Sequence, residues 1–131
     1  MNTENYTKKF SSDESRVVAI DFDGVIHNDF MGFHDGTIYG DPIEGSIESI
    51  KTLNEMGYVI KIYSCKCNPS RPLINGKDGK KLIFEWLKKH KVSKFIDEIT
   101  WGKPHAIVYI DDKGYRFENW SKAVKFMEKI K

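Results

Sequence analysis

Short apolar runs alternate along this chain with stripes of helical period. Val17–Ile20 is a continuous run rich in β-branched residues, the pattern of a strand buried on both faces of a parallel sheet. Tyr58–Tyr63 and Ala106–Ile110 read the same way, and a shorter strand is expected within Phe95–Trp101. Between the first two runs, Ile47, Ile50 and Leu53 repeat at helical spacing up to Gly57, a good C-terminal stop. Leu82, Ile83, Trp86 and Leu87 mark a second helix, and Trp120–Ile130 a closing one. Val25–Asp41 is rich in Gly and aromatic residues and reads as a loop or short hairpin. Residues 1–15 are polar and aperiodic, a tail ahead of one domain over residues 16–131.

This alternation predicts an α/β fold: a Rossmann-like, three-layer arrangement with helices on both faces of a central parallel sheet. In such sheets the ligand site lies beyond the carboxyl ends of the strands. The polar residues that terminate the apolar runs are therefore the candidates for chemistry.

Composition narrows the class. With 131 residues, 40% hydrophobic and 31% charged, the chain is large enough for one ordinary core and is neither disordered nor collagen-like. No apolar run approaches the roughly 18 residues of a membrane span, and the start lacks the apolar stretch of a signal peptide. The only two cysteines, Cys65 and Cys67, sit too close for good disulfide geometry, which points to a reducing, cytoplasmic setting. Residues 1–65 carry five basic and eleven acidic side chains; residues 66–131 carry sixteen and eight. Such a split suggests an anionic ligand more than a membrane, although Lys-rich helix faces are commonly just solvated surface.

Four run ends carry reactive groups: Asp21 with Asp23, Ser64, Lys103 ahead of a strand, and Asp111 with Asp112. In extended backbone Asp21 and Asp23 project to the same side, about 6–7 Å apart at 3.3 Å per residue. One could attack a phosphorus atom while the other stands by the leaving oxygen. Several carboxylates converging on one spot repel unless a cation holds them, and an all-oxygen donor set favours Mg²⁺ over zinc or calcium. Each residue alone has a plainer reading, a turn, a surface lysine or a strand cap. Their ordered joint occurrence is what carries weight. A receiver domain is excluded because its acidic pair precedes the hydroxyl and the lysine, whereas here an acidic pair comes last.

The chain resembles the haloacid dehalogenase superfamily of phosphohydrolases. DFDGV at 21–25, IYS at 62–64, Lys103 in WGKP and IVYIDD at 107–112 resemble its four motifs, in the same order. The resemblance is closest to small capless members, some of them phage-encoded. It implies that Asp21 is the nucleophile of an aspartyl-phosphate and Asp23 the general acid and then base. Ser64 and Lys103 would hold the phosphoryl group, and Asp21, Asp23 through its backbone carbonyl, and Asp111 or Asp112 would bind Mg²⁺. The expected activity is a phosphomonoesterase on nucleotide or polynucleotide phosphates. The alternatives are a metabolite or phosphoprotein phosphatase and a noncatalytic phosphate-binding module.

The segments after Gly24 and after Cys65 are too short for a large cap, so an open site is expected. Gly24, Lys66 and Arg71 are assigned to substrate binding, with Lys66, Arg71 and Lys77 expected on the rim of the long loop. His27 and His34 flank the flap and read as solvent-exposed loop residues or substrate contacts. Cys65 and Cys67 lack the partners of a soft-metal site.

Overall fold

The computed structural model describes residues 16–32, 34–111 and 115–130. Its elements run β1 (Val17–Asp21), α1 (Ser46–Glu55), β2 (Val59–Tyr63), α2 (Gly79–Lys89), β3 (Ile96–Thr100), β4 (Val108–Asp111), β5 (Tyr115–Arg116) and α3 (Trp120–Ile130). Every expected strand and helix is present; the strands lie within a residue or two of their expected limits, and α2 begins three residues ahead of Leu82. The polar tail of residues 1–15 and Asp112 lie outside the described residues.

The strands form one sheet in the order β3-β2-β1-β4-β5, and every neighbouring pair is parallel. This is an α/β, Rossmann-like sheet flanked by helices, and no large cap interrupts it. β1 occupies the centre, which explains why Val17, Val18, Ala19 and Ile20 are 2, 0, 0 and 0% exposed. On one face Val18, Ile20, Ile60, Ile62, Val108 and Ile110 meet Ile50 and Leu53 of α1, Ile83 and Leu87 of α2, and Ala123 and Met127 of α3. Fully burying one such side chain is worth about 1.5–3 kcal/mol, so this cluster is the main stabilising feature of the domain. The α2 terminus is set locally, where the Asp78 side chain accepts the Lys81 N–H.

From β1 the chain builds outward in both directions, to β2 and β3 on one side and to β4 and β5 on the other. The switch point therefore falls between β1 and β4, where a crevice opens at the carboxyl ends. Register brings those ends level. Asp21 is opposite Tyr63, and Ile20 is opposite Ile110, so Asp21 and Asp111 are cross-strand neighbours.

Between β1 and α1 the flap has no regular strand among its described residues. Its base is closed like a hairpin by a bridge between His27 and Pro42 and by the Asn28 N–H donating to the Asp41 carbonyl at 2.9 Å.

Candidate active site

Asp21 ends β1 at the switch point, only partly buried. Two residues on, the turn places Asp23 between two donors. His27 Nδ1 lies 2.7 Å from one carboxylate oxygen and Lys66 Nζ 2.8 Å from the other. Burial by itself would raise the Asp23 pKa. The hydrogen bonds from His27 and Lys66, with the positive charge of Lys66, outweigh it and hold the carboxyl below its ordinary 3.8.

His27 is not the exposed loop residue its sequence context suggests. It is 0% exposed, stacked on Phe22 and met edge-on by Tyr39 and Trp86. Its Nε2 accepts the Gly40 N–H at 2.9 Å, so the ring proton sits on Nδ1 and is donated to Asp23. Gly40 is read a second time, because Trp86 Nε1 donates to its carbonyl at 3.1 Å. A Cβ at Gly40 would land 2.0 Å from the Asn28 carbonyl oxygen.

Lys66 also sits elsewhere than the expected rim. It is 7% exposed, in the 3₁₀ turn Cys65–Cys67 that follows β2. Ser64 caps that turn by accepting the Lys66 N–H at 3.1 Å. α2 presses against it from behind, since a Cβ at Gly79 would lie 1.8 Å from the Lys66 carbonyl oxygen. Only glycine permits that approach. Ser64 itself is buried at the end of β2, and its hydroxyl, having accepted from Lys66, keeps its own proton to donate.

At the end of β4, Asp111 is buried and accepts from two sides. Lys103 Nζ lies 2.8 Å from Oδ2, and the Tyr63 hydroxyl donates to the same oxygen. Tyr63 and Asp111 stand on the two neighbours of β1, so this bond spans the strand that ends in Asp21. Lys103 is 39% exposed and lies over the rings of Tyr63 and Tyr109, at 5.5 and 5.0 Å from their centroids.

The structure thus brings Asp21, Asp23, Ser64, Lys103 and Asp111 to the carboxyl ends of β1, β2 and β4. Gly24 turns the chain there, but its N–H is spent on the His27 carbonyl at 2.9 Å. Among the described residues, the N–H groups of Asp23 and Cys65 donate to nothing, which makes them the amides available to an anion. Arg71 lies farther along the loop, with Nη2 3.8 Å from Cys65 Sγ. Both cysteines are free thiols, and burial pushes that of Cys67 up to about 11.

A hard divalent cation fits part of this donor set. Asp21 and Asp111 offer carboxylate oxygens on adjacent strand ends, and Mg²⁺ is commonly held by one or two carboxylates plus substrate phosphate and water. Each Asp23 carboxylate oxygen accepts one hydrogen bond, from His27 and from Lys66 respectively. Among the described residues no three His, Cys, Asp or Glu side chains gather as a metal cluster.

No family model matches the chain, and no curated protein matches it. A solved structure, described as that of a conserved protein from Bacteroides thetaiotaomicron, is similar in fold. The TM-score is 0.57 at 18% identity, covering 89% of this chain and 93% of that one. No helix among the described residues is long and apolar enough to cross a membrane.

Proposed function

We propose that the protein is a Mg²⁺-dependent phosphomonoesterase of the haloacid dehalogenase type, acting on nucleotide or polynucleotide phosphates. The supporting observation is the meeting of Asp21, at the switch point, with one carboxylate–lysine pair built on Asp23 and another built on Asp111. In the first step an Asp21 oxygen bonds to phosphorus as the ester P–O bond breaks, and Asp23 gives its proton to the departing alkoxide. In the second, Asp23 takes a proton from water as that water's oxygen attacks phosphorus, releasing phosphate and restoring the Asp21 carboxylate.

The His27 and Lys66 contacts favour the carboxylate form of Asp23, which suits the second step. An incoming phosphate dianion acts in the opposite direction and favours the protonated form that the first step needs. Ser64 and the amides of Asp23 and Cys65 supply donors to the phosphoryl oxygens, and Lys103 supplies charge. Bound Mg²⁺, held by Asp21 and Asp111, would neutralise charge on the transferring group.

Phosphate release from an aryl phosphate, with Mg²⁺, with excess chelator and after Mg²⁺ is restored, tests this reading. Activity that vanishes with chelator and returns on readdition is expected. Undiminished release in protein shown by elemental analysis to lack metal overturns the metal role. Phosphate binding without any turnover favours the noncatalytic module.

A further inference from the structure

Beside the site, a cleft of about 230 Å³ lies between flap residues 35–36 and the 71–82 segment. Lys66 is common to both: its ammonium holds Asp23, and the residue is among those lining the cleft. A group whose oxygen is protonated by Asp23 would therefore have this cleft beside it.

The lining selects what that group is. Leu73, Ile74 and Leu82 give apolar walls, and Leu73 is exposed as though awaiting cover. Arg71 and Lys77 bring donors, and Asp35 brings an acceptor. A second phosphate would meet poor complementarity here. Lys66 is committed to Asp23, Lys77 lies 2.8 Å from Glu85, Arg71 rests against Cys65 Sγ at 3.8 Å, and Asp35 adds negative charge. A bare sugar would waste the apolar walls. A heterocyclic base matches both features, with flat apolar faces and an edge that carries donors and acceptors. Asp35 Oδ1 is taken by the Thr37 N–H and hydroxyl, which leaves Oδ2 to accept from an exocyclic amine or ring N–H. The volume is below the roughly 300–1,000 Å³ of pockets that enclose drug-sized ligands, enough for one ring system.

We propose that this cleft is the leaving-group pocket and that it binds the base of a nucleoside monophosphate. This rests on the phosphomonoesterase reading, and the experiment separates the two. For the full chain with Mg²⁺, kcat/KM is compared for purine and pyrimidine nucleoside 5′-monophosphates, ribose 5-phosphate and an aryl phosphate. The best nucleotide should exceed ribose 5-phosphate at least tenfold. Asp35→Asn and Ile74→Ala should each lower the nucleotide value about tenfold while leaving ribose 5-phosphate unchanged. Independently of turnover, unphosphorylated nucleosides at millimolar concentration should shift the methyl resonances of Leu73 and Ile74. Equal cleavage of ribose 5-phosphate and nucleotides overturns the base pocket but leaves the phosphatase standing. A tenfold preference for a nucleoside 3′,5′-bisphosphate over the monophosphate overturns it in favour of a second-phosphate site. No methyl shift with any nucleoside overturns it even if the protein hydrolyses nothing.

Discussion

Asp23 and Asp111 are held alike and housed differently. Each accepts from one lysine at 2.8 Å and from one ring-bearing donor, His27 in the first case and Tyr63 in the second. Lys66, however, is 7% exposed and fixed by a capped turn jammed against α2, whereas Lys103 is 39% exposed and rests on two tyrosine faces. Buried ion pairs cost much to break, because the surviving partner is left as an uncompensated charge. In the Lys103–Asp111 pair the carboxylate is buried but the lysine reaches solvent, so water can take the place of that lysine more cheaply than it can replace Lys66. One lysine is therefore locked inside the site and the other reaches solvent.

The largest expected effect falls on the residue beside both pairs. Asp21→Asn should lower aryl phosphate turnover at least about 10³-fold with the melting temperature near that of the wild type, because an amide is a poor nucleophile. Folded variant protein with wild-type turnover would sink the mechanism. Lys103→Met sharpens the contrast: turnover should fall about 10²–10³-fold, while urea denaturation shows a smaller stability loss than for Lys66→Met, because solvent reaches the lysine end of the pair.

Lys66→Met should reverse that balance and destabilise by about 2–3 kcal/mol, at or below the low end for a buried pair because Asp23 keeps some solvent contact. Equal stability losses for the two lysine variants would break the comparison. The smallest effect is in pH. Asp23 has a folded pKa below its ordinary 3.8, so its contribution is fully present above that value and is lost as pH falls through the folded value. Denaturation midpoints of wild type and Asp23→Asn should accordingly converge in part between pH 5 and the strongly acidic range. Asp35 and Glu85 are also held low, by hydrogen bonds from Thr37 and Lys77 respectively, but both are exposed and added salt should weaken their share.

Much of the fold was legible because a parallel sheet writes itself plainly. Strands such as Val17–Ile20, covered on both faces, need unbroken apolar runs, and the stripe from Ile47 to Leu53 needs only one buried helix face. β5 left no such trace. Tyr115–Arg116 is two residues long and joins the sheet through pairing with β4 alone. The residues at the strand ends were legible for a topological reason, since parallel strands deliver their termini to one edge. The surroundings of His27 and Lys66 were not. The box around His27 draws on Phe22, Tyr39 and Trp86, and Lys66 is set by the seat of Gly79 on its carbonyl. No local spacing encodes contacts assembled from segments so far apart in the chain.

The two bonds at Gly40 carry a consequence for motion. Its N–H is sealed against a fully buried ring nitrogen, and its carbonyl is tied to α2. Exchange of that amide with solvent deuterium then requires the opening of core structure, not the fluctuation of a surface loop. The flap cannot swing as one rigid lid from its root. Any opening over the site is confined to the tip beyond Gly40, where Phe30 and Met31 already face solvent. The hinge is thereby pushed outward, and Asp23, bonded to the buried His27, stays in register while the entrance changes shape.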